Sequence, residues 1–88
     1  MFYVYLLESK MGDERYIGFT TDLKKRFKEH NQKLNVSTRR YAPWKLLYYE
    51  ACIEKSDAMR REKYLKTTQG SRLLKRRIKD YNYKSRNI

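Results

Sequence analysis

The stretch FYVYLLESKMGDERYIGFT, residues 2–20, decides the fold. Its first part, Phe2 to Leu7, is apolar or aromatic at odd and even positions alike, which is typical of a central strand covered on both faces. Residues 9–14 are rich in turn-forming side chains, and Arg15 to Thr20 has the composition of a second strand. The short connection between the two strands predicts an antiparallel hairpin.

Outward from the hairpin, capping side chains mark the expected helices. Oxygens at residues 20–22 predict a helix from about Asp22 to Asn31, and a basic loop at 36–43 leads to a third strand from Trp44 to Glu50. Ser56 and Asp57 are expected to cap a second helix that ends near Lys66.

Residues 67–70 are then expected to end the second helix, before a short third helix that begins near Ser71. The element order is ββαβαα. We therefore expect an α/β (α+β) fold, a compact single domain with a three-stranded antiparallel sheet flanked by helices. Residues 1–80 should form this domain and residues 81–88 a flexible basic tail.

The net charge of the chain limits the classes of partner that it can be expected to bind. Among 88 residues, 22 are Lys or Arg and 10 are Asp or Glu, for a net charge of +12. Such a surface attracts polyanions, and nucleic acid is the leading candidate ahead of an acidic membrane surface. No apolar run approaches the roughly 20 residues of a membrane span, and no signal peptide is recognisable. The single cysteine, Cys52, excludes an internal disulfide and favours a cytoplasmic location.

An acidic side chain on the second helix is the first indication of a functional site. At about 100° per residue, Glu62 lies near Ala58 and Leu65 on the face expected to pack on the sheet. A carboxylate there costs free energy unless it is paired, hydrogen-bonded or bound to a metal. The sequence leaves open a salt bridge to a nearby arginine and a role as metal ligand.

The first helix places polar side chains beside its apolar stripe in the same way. His30 falls on the stripe formed by Leu23 and Phe27, and Arg26 flanks it, one turn from His30. A hydrogen-bonded core histidine and a histidine in a functional cleft both fit this pattern.

The two strands of the hairpin bring tyrosines to one face. Tyr5 shares a face with Tyr3 and Leu7, and Tyr16 shares one with Gly18. If the register joins these faces, Tyr5 and Tyr16 are neighbours, and Gly18 lets another group approach the backbone.

Taken together, these residues resemble the GIY-YIG nuclease family. The pattern runs from Tyr3-Val4-Tyr5 to Tyr16-Ile17-Gly18, and then to Leu23-x-x-Arg26-x-x-x-His30 and Ala58-x-x-x-Glu62-x-x-Leu65-Lys66. The resemblance covers about Phe2 to Ile78. It is closest to the small stand-alone bacterial members, and more distant to the N-terminal domain of the excision-repair nuclease subunit.

The resemblance implies a catalytic site. The two motif tyrosines of the family, here Tyr5 and Tyr16, line the active site, and the helix arginine, here Arg26, contacts the scissile phosphate. The glutamate, here Glu62, holds one divalent metal ion, for which a hard oxygen ligand suggests Mg²⁺ or Mn²⁺. His30 falls where many members carry a tyrosine or histidine.

Two positions depart from the family pattern. The first motif is Tyr-Val-Tyr in place of Gly-Ile-Tyr, and Phe19 stands where the repair nuclease has a site lysine. The missing lysine leaves the identity of the general base open among Tyr5, Tyr16 and His30.

We therefore expect a metal-dependent endonuclease that hydrolyses phosphodiester bonds, with DNA favoured over RNA and with low sequence specificity. The alternative is a non-catalytic nucleic-acid-binding module that keeps the same fold. The sequence does not identify a protein partner, and it is compatible with a monomer. The expected phosphate contacts come from basic residues near the site: Lys24, Lys25, Lys28, Arg39, Arg40 and Lys66.

Overall fold

The predicted hairpin forms two of the three strands of the sheet. The computed structural model describes residues 1–86. Strands β1 (Phe2–Ser9) and β2 (Arg15–Thr20) are antiparallel, with Tyr5 opposite Gly18 and Leu7 opposite Tyr16. Strand β3 (Trp44–Cys52) pairs with the other side of β1, which gives the order β2-β1-β3. The prediction of a central first strand is confirmed, and β2 is an edge strand.

Helices cover the two faces of this sheet. Helix α1 (Leu23–Asn31) begins after Asp22, whose carboxylate accepts a hydrogen bond from the Lys25 backbone N–H at 3.1 Å. A short 3-10 turn at Arg39–Tyr41 precedes β3. Helices α2 (Lys55–Leu65) and α3 (Thr68–Arg77) follow β3. The predicted three-stranded antiparallel sheet flanked by helices is confirmed.

The alternation of side chains along β1 builds a separate apolar cluster on each face. Val4 and Leu6 pack with residues of α2, α3 and the turn after α3: Ala58, Leu65, Leu74 and Ile78. Tyr5 and Leu7 point to the opposite face and pack with Ala42, Trp44 and the apolar side of α1. Because successive side chains of a strand point to opposite faces, α1 and α2 lie on opposite sides of the sheet.

Two helix starts differ from the predicted ones. Helix α2 begins at Lys55 after Glu54, so Ser56 and Asp57 lie inside the helix instead of capping it. Helix α3 begins directly after Thr67, whose hydroxyl accepts a hydrogen bond from the Gly70 backbone N–H at 3.1 Å. The break between the two helices is therefore present but shorter than expected, because residues 67–70 form the cap and first turn of α3.

The residues from 81 onward, expected to form a flexible tail, are helical in their described part. Residues Lys79–Arg86 form a fourth helix, α4. The Tyr81 hydroxyl donates to Glu8 at 2.6 Å, and Arg15 donates to the Asn82 side chain at 2.7 Å. These contacts with β1 and β2 hold α4 against the sheet. Residues 87 and 88 of the predicted tail lie outside the described residues.

Candidate functional site

The register of the hairpin places Tyr5 directly over Gly18. A side-chain carbon added at Gly18 would collide with the Tyr5 hydroxyl and ring, and would lie 2.9 Å from the Tyr16 ring. Tyr5 is 2% exposed, and its ring centroid lies 6.3 Å from that of Tyr16. The absence of a side chain at Gly18 thus lets Tyr5 lean toward the open edge of β2, as the sequence pattern suggested.

His30 completes an aromatic cluster with these two tyrosines. The ring is fully buried, and its Nε2 shares a hydrogen bond of 2.8 Å with the Tyr5 hydroxyl. Its centroid lies 5.2 Å from the Tyr16 ring in an edge-to-face arrangement. Burial, together with the charge of Arg26, lowers the pKa of His30 below its usual value, although Glu29 opposes the shift. The imidazole is therefore neutral at pH 7, and one ring nitrogen can accept a proton.

Arg26 lies at the margin of the same cluster. Burial raises the pKa of Tyr5 well above its usual value, the nearby Tyr16 adds to the shift, and the charge and side-chain contact of Arg26 oppose it. The Arg26 side chain is 40% exposed, and its guanidinium pairs with Glu29 at 3.3 Å, one turn along α1. Arg26 can therefore contact the Tyr5 phenol on one side and solvent on the other.

Glu62 lies at the margin of the packed face of α2 instead of at its centre. At about 100° per residue, Arg61 and Glu62 fall on opposite sides of the buried Ala58. Arg61 donates to Glu50 of β3 at 2.7 Å, so Glu62 lies on the β2 side of the helix. The Glu62 side chain is 25% exposed and pairs with Lys66 at 3.4 Å. The structure therefore gives Glu62 a lysine partner on its own helix, instead of the arginine considered from the sequence.

Arg26 on α1 and Glu62 on α2 thus belong to helices that cover opposite faces of the sheet. Tyr5, Tyr16 and His30 are in direct contact, and the charge of Arg26 acts on the Tyr5 phenol. Glu62 acts on this group electrostatically, since its charge raises the pKa of Tyr5. An arginine, a carboxylate and a hydrogen-bonded Tyr–His pair around an open edge can bind a phosphate group and move a proton.

The Glu62 carboxylate is the group of this site that could bind a divalent metal ion. Within residues 1–86, no group of three or more His, Cys, Asp and Glu side chains is placed to hold an ion. A single partly exposed carboxylate suits Mg²⁺ or Mn²⁺, because such ions keep several waters and take further oxygens from a bound phosphate. The donor set therefore fits an ion shared with a substrate, but not an enclosed structural site.

The side chains expected to contact phosphates lie on the surface. All six are exposed, on α1, in the 3-10 turn and just after α2: Lys24, Lys25, Lys28, Arg39, Arg40 and Lys66. Trp44 is 2% exposed and belongs to the core. Over the described part of the chain, no helix combines the length and the apolar character needed to span a membrane.

Thr38 is a site residue that the sequence did not reveal. It is fully buried, and its Oγ1 lies 2.6 Å from His30 Nδ1. Its carbonyl accepts a hydrogen bond of 2.9 Å from the Trp44 indole N–H. A threonine in a basic loop follows no helical or strand periodicity, so no sequence signal separated it from its neighbours.

Comparison with known proteins identifies the family of the chain. Residues 1–75 match the family model described as the GIY-YIG catalytic domain. A UPF0213 protein of Clostridium perfringens is 38% identical over 88 residues, which is 94% of each chain, and one of Streptococcus agalactiae is 45% identical over 65 residues, 73% of each chain. The solution NMR structure of a UPF0213 protein from Bacillus halodurans is 37% identical. It superposes with a TM-score of 0.50 and covers 84% of this chain and 82% of that one.

Proposed function

The chain belongs to the GIY-YIG family, and from that premise we propose that it is a divalent-metal-dependent endonuclease acting on nucleic acid, with DNA as the favoured substrate. The observation that carries the proposal is the buried hydrogen bond between Tyr5 and His30, on which the charge of Arg26 acts. A core that needed only packing would be expected to fill this space with apolar side chains, since buried polar groups cost free energy unless they are satisfied.

Arg26 is the residue we propose to bind the scissile phosphate. Its side chain is partly exposed, and the guanidinium can donate two parallel hydrogen bonds to phosphate oxygens. The ion pair with Glu29 restrains the guanidinium but leaves part of its donors for a substrate. Arg26 would thereby orient the phosphate over the Tyr5 hydroxyl.

Tyr5 and His30 together would take up the proton of the attacking water. Burial keeps the Tyr5 phenol protonated near neutral pH, so Tyr5 does not act as a preformed phenolate. Instead, Tyr5 accepts the proton of water as the water oxygen bonds to phosphorus, and passes its own proton to His30 Nε2. The leaving oxygen departs from phosphorus and is protonated by solvent, and His30 then returns its proton through Tyr5.

Glu62 is the residue proposed to hold one Mg²⁺ or Mn²⁺ ion. Its carboxylate is accessible on the β2 side of α2, and Lys66 is its exposed partner on the same helix. When bound, the ion would supply positive charge near the phosphate oxygens. Binding requires Glu62 to give up part of its interaction with Lys66, which is a weak surface pair.

The exposed lysines and arginines support nucleic acid as the substrate and a low sequence specificity, because phosphate contacts carry no base information. We further propose a cytoplasmic location, on the strength of the single unpaired cysteine. The alternative of a binding module without catalysis predicts the same surface but no bond cleavage, so the two differ only in an activity assay.

The proposal is tested with end-labelled single-stranded, duplex and branched DNA and with RNA of the same sequence, each incubated with Mg²⁺, with Mn²⁺ or with chelator. Cleavage of one or more of these substrates that depends on the metal ion is the expected result. Metal-independent binding without any cleavage would support the binding module instead, and cleavage of RNA alone would overturn the preference for DNA.

A further inference from the structure

We propose that Thr38 is a positioning residue that fixes the tautomer of His30, and thereby leaves Nε2 free to receive the proton of Tyr5. The inference rests on the proposed function for its catalytic meaning, but its structural part can be measured without any cleavage. Thr38 lies in the segment between α1 and β3, eight residues after His30.

Each ring nitrogen of His30 lies within hydrogen-bond distance of one hydroxyl group. Nε2 lies 2.8 Å from the Tyr5 hydroxyl and Nδ1 lies 2.6 Å from the Thr38 hydroxyl. Both partners can donate or accept, so a neutral ring can take either of two arrangements. In one arrangement Tyr5 donates to Nε2 and Nδ1 donates to Thr38, and in the other both hydrogen bonds are reversed.

The charge of Arg26 favours the first arrangement, in which Tyr5 donates to Nε2 and Thr38 accepts from Nδ1. The guanidinium has only hydrogen donors, and its positive charge acts on the Tyr5 phenol. The phenol oxygen therefore turns its lone pairs toward Arg26 and its proton toward His30. With Nε2 as the acceptor, a neutral ring carries its proton on Nδ1, and Thr38 Oγ1 must accept it.

The surroundings of Thr38 hold its hydroxyl in place for this role. The Thr38 carbonyl accepts from the Trp44 indole at 2.9 Å, and the Asn31 side chain is hydrogen-bonded to both the backbone N–H and the carbonyl of Trp44. Thr38 and Trp44 are nearly inaccessible to solvent. The end of α1, the Thr38 loop and the start of β3 thus form one connected support for the second nitrogen of His30.

The test uses the fact that His30 is the one histidine of the chain. In a ¹⁵N-labelled sample, the ring nitrogens give a single pair of NMR signals that shows which nitrogen carries the proton. The wild type is expected to carry it on Nδ1. Thr38→Val, which keeps the shape but removes the acceptor, should shift the ring toward the Nε2–H form, and Thr38→Ser should restore the wild-type signals.

A matched control is available at the neighbouring position. Ser37 is exposed, so Ser37→Ala should leave the ring signals unchanged. A wild-type ring protonated on Nε2 would overturn the proposal, as would Thr38→Val with unchanged signals. If Thr38→Val does not fold, the wild-type tautomer and the Thr38→Ser spectrum still decide.

Cleavage assays test the catalytic part separately. We expect Thr38→Val to lower kcat by about 10- to 100-fold with little change in KM, and to change the pH dependence of kcat, whereas Thr38→Ser keeps both near wild type. A protein that never cleaves nucleic acid refutes the proposed function but leaves the tautomer result intact. Equal kcat and pH profiles for wild type and Thr38→Val would refute the catalytic role of Thr38 alone.

Discussion

At the scale of single residues, His30 combines complete burial with two hydrogen bonds and a lowered pKa. A histidine in solution titrates near pH 6.5, but burial and the Arg26 charge hold the folded ring neutral to lower pH. Neutrality is what allows the ring to accept a proton from Tyr5. The same property makes folding sensitive to acid, because the unfolded chain binds a proton that the folded chain resists.

The free energy of unfolding should therefore fall as the pH decreases through 6.5 toward the lower pKa of folded His30. In this window the unfolded state binds more protons, so stability rises with pH, by up to about 1.4 kcal/mol for each unit by which the pKa is lowered. Urea unfolding between pH 7.5 and 5.0 measures the slope, and His30→Gln should lack it. The lowered pKa values of Glu8 and Glu50 affect stability only below about 4.5, since those carboxyls titrate there. A wild-type stability that does not change between pH 7.5 and 5.0 would contradict this assignment.

At the scale of elements, the close packing of β1 against β2 depends on a missing side chain. Gly18→Ala would place a carbon against the Tyr5 hydroxyl and ring, and Tyr5 is too buried to swing away. We expect a loss of about 1–3 kcal/mol in the free energy of unfolding, as for overpacking elsewhere. Gly12→Ala is the matched control, since a carbon there has no neighbour within 4 Å. Chemical denaturation of both variants decides, and equal stabilities would show that Tyr5 does not occupy this position.

For some elements, the sequence alone was sufficient to predict the structure. The strands of the hairpin were predicted at nearly their observed bounds, because apolar and turn-forming residues follow each other in separate blocks along residues 2–20. Strand alternation and helical spacing related Tyr5 to Tyr3 and Leu7 and Arg26 to His30, and the resemblance to the GIY-YIG family implied that the tyrosines and the helix residues share one site.

The remaining features depend on contacts that no local rule contains. Helix α4 is held by the bond between Tyr81 and Glu8, which are 73 residues apart in the chain. The start of α3 depends on Thr67 and on the close approach of Gly70 to the end of α2, where an added side chain would collide with the backbone of Tyr64 and Leu65. Thr38 lies in a loop, where position is set by tertiary packing and not by periodicity.

At the scale of the whole molecule, the net charge of +12 should govern binding. With chelator present, so that no cleavage occurs, log K for DNA should fall linearly with log salt, by about 0.9 for each phosphate contact. Lys25→Gln on α1 should reduce the slope by about one contact. Lys55→Gln, at the start of α2 on the opposite face, should not change it. Fluorescence anisotropy over a range of salt concentrations gives both slopes, and a salt-insensitive affinity would show that phosphate contacts do not carry the binding.

The central claim, that the group at the edge of β2 cleaves nucleic acid, is tested most directly by Glu62→Gln. The substitution keeps the shape of the side chain but removes the charge, and a neutral amide holds a divalent ion weakly. Because Glu62 pairs with an exposed lysine, the free energy of unfolding should change by less than about 1 kcal/mol. Glu54→Gln is the control, since Glu54 is exposed and its side chain makes no capping bond at the start of α2.

The measurement is the rate of DNA cleavage by wild type, Glu62→Gln and Glu54→Gln with Mg²⁺ or Mn²⁺, with thermal unfolding followed in parallel. We expect wild type and Glu54→Gln to cut DNA at similar rates. We expect Glu62→Gln to cut more slowly by about 100-fold or more, while it remains folded and able to bind DNA. A folded Glu62→Gln protein that cuts as fast as the wild type would contradict the central claim.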